Sequence, residues 1–218
     1  IGADGRDGNG GFIDLSGHDV FIAPTGNIHA NGGVNGGQIN LTAQDQMQIF
    51  GIVQANGTDG TGGTINIAGK DVLVGPQARI EANGAVGGTV NVSAQDEAQI
   101  FGTIEAIGST GAGGTISVDG TNVLIGPNAT LDASGATDGG TVNLNAQDAL
   151  EVSGTVRAVG GSGNGGTINM SGADVLITPT ANIDASGGTN GGTVNIDASN
   201  ALNVNGTIRA TGGSCLLY

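Results

Sequence analysis

The chain has 218 residues, of which 45 are glycine, and its formal net charge is −14. A strongly acidic chain without a basic patch repels nucleic acid and anionic lipid, so we expect neither as a partner. No apolar run approaches the roughly 18 residues of a membrane span, and the single cysteine, Cys215, rules out an intramolecular disulfide.

Paired glycines divide the chain into repeats. The pairs begin at residues 10, 36, 62, 87, 113, 139, 165 and 191, so the spacing is 26 residues with one interval of 25. A fixed period in this range indicates a solenoid, propeller or array. We call each unit a coil and number the coils 1 to 8 from these pairs. Residues 1–9 match the end of a coil, so the chain begins in mid-unit and is expected to be a fragment or a processed product.

Each coil holds three short stretches of alternating polarity. Examples are Thr-Val-Asn-Val at 89–92, Val-Leu-Ile at 123–125 and Ile-Glu-Ala at 80–82. Alternate side chains of such a stretch face opposite sides. Gly, Asn, Asp, Ser and Pro separate the stretches, and no helical period appears, so all three are predicted to be β-strands.

The sequence therefore predicts an all-β fold, a parallel β-helix (solenoid) with three short strands per coil of about 26 residues and about eight coils. Stacking places Val90 between Ile65 and Ile116 in a continuous aliphatic ladder, and Val92, Ile100 and Ile104 are also expected to point inward. Residues 1–213 are predicted to form one β-helical domain, followed by a non-repeat tail at 214–218.

Glycine and proline mark the turns. The glycine pairs are expected to supply backbone conformations that a Cβ atom forbids at a sharp corner. Pro24, Pro76, Pro127 and Pro179 recur at one place in alternate coils. Because proline lacks an N–H group, this place is predicted to be a turn rather than a paired strand.

Two outward polar rows follow the first strands. The threonine row is Thr64, Thr89, Thr115, Thr141, Thr167 and Thr193. The asparagine row is Asn40, Asn66, Asn91, Asn143, Asn169 and Asn195. Stacked hydroxyls and amides are expected to hydrogen-bond along the rod, as polar ladders do. The functional alternative is that this flat and regular face orders water and binds ice or another ligand.

An acidic row follows the first strand of each coil. Its members are Asp19, Asp45, Asp71, Asp96, Asn122, Asp148, Asp174 and Asn200. Such side chains are expected to cap their own turns. Calcium is the alternative because it favours oxygen ligands. Two members are asparagine, however, and the nonapeptide calcium repeat is absent, so we expect no metal.

A second charged row lies on the third strands. Its members are His29, Gln54, Glu81, Glu105, Asp132, Arg157, Asp184 and Arg209. Arg157 is expected to form surface ion pairs with the acids on either side. Glu81, Glu105 and Asp132 lie on consecutive coils, so they either splay into water or capture a cation. Screening of exposed charges favours splaying.

An apolar row recurs in every second coil. Phe21, Leu73, Leu124 and Leu176 are its members, and Phe50 and Phe101 add two exposed aromatic residues nearby. Scattered apolar residues are ordinary on a surface. A continuous stripe of them is instead suited to docking a partner or a neighbouring rod.

Catalysis is not expected. His18 and His29 have no matching serine or cysteine nucleophile, and paired carboxylates occur only within the rows. A feature copied in every coil indicates architecture rather than catalysis. We therefore expect no enzymatic activity and no cofactor, although a carbohydrate-active β-helix enzyme remains the weakest of three alternatives.

Family resemblance adds to this interpretation. The stretches "VLIGPNATLDASG" at 123–135 and "VLITPTANIDASGG" at 175–188, with the recurrent "GGTVN", resemble filamentous-haemagglutinin-like exoproteins of two-partner secretion systems. The resemblance implies a right-handed parallel β-helix, export through an outer-membrane transporter and a role as a bacterial surface adhesin or filament. It also implies a partner on a host surface or a polysaccharide. No amino-terminal secretion domain is recognisable, so the segment is expected to come from a central shaft.

The ends of the chain carry one further expectation. A solenoid cut between coils exposes strand edges, so end-to-end self-association is expected. The tail "CLLY" at 215–218 replaces the repeat and is interpreted as a remnant, a boundary or an interaction tail. The sequence as a whole predicts an extracellular, non-enzymatic β-helical rod.

Overall fold

The computed structural model describes residues 1–213 as a stack of short β-strands. This part of the chain contains no helix, and so none that is long and apolar enough to cross a membrane. The predicted tail, with Cys215, lies outside the described residues. In chain order the strands are β1 (Phe12–Gly17), β2 (Val20–Ile22), β3 (Asn27–His29), β4 (Gln38–Ala43), β5 (Gln46–Ile49), β6 (Ile52–Gln54), β7 (Thr64–Gly69), β8 (Asp71–Val74), β9 (Arg79–Glu81), β10 (Thr89–Ala94), β11 (Glu97–Ile100), β12 (Thr103–Glu105), β13 (Thr115–Gly120), β14 (Asn122–Ile125), β15 (Thr130–Asp132), β16 (Thr141–Ala146), β17 (Ala149–Val152), β18 (Thr155–Arg157), β19 (Thr167–Ile177), β20 (Asn182–Asp184), β21 (Thr193–Val204) and β22 (Thr207–Arg209).

Each strand pairs in parallel with its counterpart in the next coil. The third strands form an eight-stranded sheet, while the first and second strands belong to one 14-stranded sheet. The first-strand set and the second-strand set are joined because β19 and β21 each span the first-strand and the second-strand positions of their coil. The structure confirms the predicted parallel β-helix of about eight coils, and a coil spacing of about 4.8 Å makes the rod about 38 Å long.

Aliphatic ladders fill the inside of the rod. Val90 pairs in register with Ile65 on one side and Ile116 on the other, as predicted, and all three are fully buried. The other residues predicted to point inward are fully buried as well: Val92, Ile100 and Ile104. Because β-branched side chains pack well on a pleated surface, each ladder stabilises the coils above and below it.

The paired glycines are required for a different reason from the predicted one. No residue in 1–213 has a positive φ, so unusual backbone conformations are not the cause. The constraint is close approach of backbones. The Gly63 N–H donates to the Ala55 carbonyl at 2.6 Å and closes the loop between them. A Cβ atom on the preceding Gly62 would collide with the carbonyl oxygen of Ala82, near the end of the same coil.

Proline turns distinguish two kinds of coil. In coil 3, Pro76 lies in a turn that the Ala78 N–H closes by donating to the Gly75 carbonyl at 3.0 Å. Equivalent bonds close the other predicted turns, at Pro24, Pro127 and Pro179. Coil 2 replaces this turn with the shorter connection Phe50-Gly51. The prediction of proline turns is confirmed, and the true repeat of the rod is two coils.

Because Val92 faces inward and Ser93 faces outward, the same substitution at the two positions should change the free energy of unfolding by very different amounts. Val92→Asp buries an unpaired charge, so it should lower the free energy of unfolding by about 4 kcal/mol or more. The matched control Ser93→Asp places the same charge on the exposed face and should change it by less than about 0.5 kcal/mol. Urea unfolding of both variants measures this difference, and equal stabilities would contradict the assignment.

Candidate functional site on the outer faces of the coils

The asparagine row forms a hydrogen-bonded ladder along the rod. Asn66 Nδ2 donates to Asn40 Oδ1 at 2.9 Å, and Asn91 Nδ2 donates to Asn66 Oδ1 at 2.9 Å. Ser117 takes the next position, where its Oγ accepts from Asn143 Nδ2 at 3.3 Å. Two further bonds of 2.9 Å continue the ladder through Asn169 and Asn195. The predicted amide ladder is therefore present.

The threonine row behaves differently, although its six members are also in register. Their hydroxyl groups make no hydrogen bond to protein within residues 1–213, so the predicted bonding between threonines is not present. Stacked hydroxyls do bond across the coil spacing elsewhere, as Thr178 Oγ1 does to Ser153 Oγ at 3.0 Å, so the threonine hydroxyls of the first strands are oriented away from one another. The longer asparagine side chain spans the gap. The threonine hydroxyls are left to bond water or a ligand.

The acidic row is not a single column, which corrects the sequence prediction. Asp71 pairs with Gln46 rather than with Asp45. Even-numbered coils have one more residue at this corner, and the Asp45 carbonyl accepts from both Lys70 N and Asp71 N. Asp71 Oδ1 in turn accepts from the Glu97 N–H of the next coil at 3.3 Å. Asp19, Asp71 and Asn122 thus cap the neighbouring coil rather than their own turn.

One corner brings together the types of side chain that bind metals. His18, Asp19 and Asp45 offer ligand atoms that all lie within 4.8 Å of one another. At the equivalent corner two coils later, Lys70 Nζ lies 3.7 Å from Asp96 Oδ2. His18 thus takes the corner position that Lys70 takes in coil 3, but among the described residues no ion pair joins it to Asp19 or Asp45.

The charged row of the third strands is more buried than predicted. The strand register matches the expected row, but only 6% of Glu81 and 9% of Asp132 is exposed. Arg79 explains this, because its Nε donates to Glu81 Oε1 at 2.6 Å. Gln54 Nε2 donates to Glu81 Oε2 at 2.6 Å from the previous coil. The predicted splaying into water is wrong for Glu81, and the sequence analysis missed Arg79 as its partner.

Arg157 forms one of its two expected ion pairs. Its Nη1 lies 3.6 Å from Asp132 Oδ2, and both side chains belong to paired strands. Among the described residues no ion pair joins Arg157 to Asp184. Asp184 Oδ1 instead accepts from the Ser186 N–H at 2.9 Å. Asp132 Oδ1 accepts the equivalent bond from the Ser134 N–H at 3.0 Å, so the backbone binds both carboxylates and Arg157 adds an ion pair to one of them.

Opposing effects act on the ionisation of Glu81. Burial raises its pKa, but hydrogen bonds from Gln54, Arg79 and Asn56, together with the Arg79 charge, outweigh burial and hold the pKa below its ordinary value. The same contact raises the pKa of the Arg79 guanidinium. Near the start of the chain, a hydrogen bond to His29 is the main cause that lowers the pKa of Asp4. These interactions tie neighbouring coils together and require no bound ion.

The aromatic residues of the second-strand side are packed more closely than predicted. Phe50 and Phe101 are half-buried, and their rings lie against Gly75 and Gly126 of the following coils, where a Cβ atom would collide with them. Phe21 is 61% exposed, as predicted, and its ring centroid is 5.8 Å from that of Phe50. Phenylalanine and glycine thus alternate through coils 2 to 5, while Ser153 and Thr178 take these positions in coils 6 and 7.

No protein family, curated protein or solved structure matches this chain. The class that the fold defines is a β-solenoid rod, and this follows from the chain's own residues. The resemblance to filamentous-haemagglutinin-like exoproteins stays a prediction.

The burial of Glu81 predicts a pH-dependent contribution to stability. Because the folded pKa lies below the ordinary value of 4.5, this contribution is complete above that value and is lost as the pH falls through the folded pKa. Glu81→Gln should therefore lower the free energy of unfolding at pH 7 by about 2 kcal/mol. The difference between variant and parent should shrink on acidification.

Glu97→Gln provides the matched control, because Glu97 is exposed and its side chain makes no hydrogen bond within residues 1–213. This variant should stay within about 0.5 kcal/mol of the parent. Urea unfolding at a series of pH values measures both variants. A Glu81→Gln chain that matches the parent at every pH would contradict the account of this site.

Proposed function

We propose that the chain is a structural and adhesive rod, a shaft segment of an extracellular bacterial adhesin or filament, and that it is not an enzyme. The observation that supports this most is continuity: equivalent residues pair from coil 1 to coil 8 without an inserted loop among residues 1–213. In such a rod, the number of repeats sets the length, because each coil adds about 4.8 Å. A shaft needs length and regularity rather than one unique constellation of side chains.

Export through a transporter suits this architecture. Each coil of a solenoid contacts only its neighbours, so folding can start at one place and spread coil by coil as the chain emerges. No disulfide is required, because Cys215 is the single cysteine. The net charge of −14 also keeps such rods soluble and apart. The resemblance to two-partner secretion exoproteins supports a bacterial surface location and an outer-membrane transporter as partner.

The second candidate function is binding of ice or ordered water by the Thr–Asn face. The specific observation in its favour is the row of six threonine hydroxyls that make no hydrogen bond within the described residues. They lie beside the asparagine ladder, in which side-chain hydrogen bonds join residues of successive coils. A rigid array of unpartnered hydroxyls is suited to ordering water.

The shaft proposal predicts that length can be removed in units of two coils. Deletion of residues 87–138 removes coils 4 and 5 and joins coil 3 to coil 6, which preserves the alternation of the two kinds of coil. The product should fold and form a rod shorter by about 9.6 Å. Circular dichroism and small-angle X-ray scattering measure the two properties.

Deletion of 87–112 alone is the matched control. It joins coil 3 to coil 5, which are of the same kind, and so breaks the Phe–Gly alternation and the corner register. This variant should be much less stable. On cells of the source organism, protease added outside should cleave the full-length protein. A two-coil deletion that does not fold, or a protein protected from outside protease, would contradict the proposal.

The ice-binding candidate predicts an effect on ice growth. Gln38 already occupies the coil 2 position of the threonine column, so Thr115→Gln with Thr141→Gln should leave the fold intact. If the candidate is correct, the parent suppresses ice recrystallisation and the double variant does so clearly less. A parent that leaves ice growth as a buffer does would exclude this function.

A further inference from the structure

The outward face of the second strands carries a feature that neither the shaft nor the Thr–Asn face uses. One shallow depression of about 180 Å³ lies over coils 2 to 4, with Asp71 and Leu73 at its centre. Another of about 250 Å³ lies over coils 4 to 6, with Asn122 and Leu124 in the equivalent place. We call these two depressions the notches.

Alternation of side-chain length creates the notches. Leu73 pairs in register with Gln48 on one side and Gln99 on the other. Leu124 pairs with Gln99 and Glu151. The short leucines therefore form floors between walls of longer polar side chains. Since coils of one kind recur at every second position, the notches recur at about 9.6 Å along the rod.

The walls of the notches offer both donors and acceptors. Gln48 Nε2 donates to Gln46 Oε1 at 3.0 Å, which leaves the Gln46 amide N–H groups free to donate outward. The side chains of Glu97 and Gln99 make no hydrogen bond within residues 1–213. Hydroxyl groups of a sugar both donate and accept, and an aliphatic floor suits the apolar face of a sugar ring. The chemistry of the notches is that of a carbohydrate subsite.

Charge selects the kind of carbohydrate. Asp71, Glu97 and Glu151 line the notches, and no lysine or arginine does. An anionic polysaccharide would be repelled by this lining and by the net charge of −14. An anionic occupant is therefore excluded, and a neutral sugar suits the amides and the aliphatic floor of the notches.

We propose that the notches bind a neutral, extended, β-linked hexose polysaccharide that lies along the rod axis. In an extended β-1,4-linked chain, successive sugars face opposite sides, so the same face returns once per disaccharide. The length of that disaccharide is close to the two-coil spacing. One polymer chain can thus place equivalent sugars in successive notches, and linked weak contacts give a usable total affinity.

This inference deepens the proposed function, because it gives an adhesive rod a ligand. Binding is measured on the purified chain, however, and does not depend on where the protein is located. A rod that is surface-exposed but binds no neutral glycan would refute this inference alone. A rod that binds but is not surface-exposed would refute only the shaft proposal.

The test is titration of the purified full chain with cellohexaose and fully N-acetylated chitohexaose, followed by NMR shifts of the side-chain amides of Gln46, Gln48 and Gln99. Both hexasaccharides should shift these signals, and cellobiose should bind at least about tenfold more weakly because it fills one notch. Maltohexaose, which is α-linked and curved, and oligogalacturonate, which is anionic, should leave the signals unchanged.

Leu73→Gln with Leu124→Gln fills both notches with a residue that the same column already contains, so the variant should fold as the parent does. It should weaken hexasaccharide binding by about tenfold or more. Thr115→Gln on the other face is the matched control and should bind as the parent does. Absence of shifts with both β-linked probes, equal binding by the filled variant, or equal binding of oligogalacturonate would each overturn the proposal.

Discussion

In-register parallel pairing of successive coils is the constraint on which the rest of this structure depends. Once Val90 lies between Ile65 and Ile116, the other strand positions of the coil are also stacked on their equivalents, and only the corners differ in length. Each residue must then be compatible with its own neighbours above and below at a spacing of about 4.8 Å. The aliphatic ladders meet this demand by packing, and the paired glycines meet it by lacking a Cβ atom where backbones approach most closely.

The outer rows differ in whether equivalent side chains of successive coils form hydrogen bonds with one another. Asparagine spans the gap between coils and forms a ladder, as between Asn66 and Asn40, whereas the threonine hydroxyls do not bond to one another. Stacked carboxylates repel, so Glu81 requires Arg79 and the amide of Gln54. Where two kinds of coil alternate, long and short side chains alternate along the outer face of the second strands, and depressions form at every second coil. The outer rows whose polar groups form no hydrogen bonds within the rod are the ones that can donate or accept hydrogen bonds with a ligand.

Most of the fold could be predicted from the sequence, because a fixed period with alternating polarity admits few structures. The inward positions of Val92 and Ile100 follow from alternation alone. The extra residue at the corner of even-numbered coils could not be predicted, since matching Asp45 to Asp71 by similarity ignores a one-residue difference in path. The contact between Arg79 and Glu81 could not be predicted from matched positions of successive coils, because both residues lie on the same strand.

Distances between equivalent positions test the stacking most directly. Thr42, Asn145 and Asp197 occupy one outward column in coils 2, 6 and 8. Spin labels can be placed on cysteines at these positions in a chain that carries Cys215→Ser. Pulsed electron resonance should give about 19 Å between 42 and 145 and about 29 Å between 42 and 197. Distances that are broad, or that do not grow in proportion to the number of coils, would contradict the in-register rod.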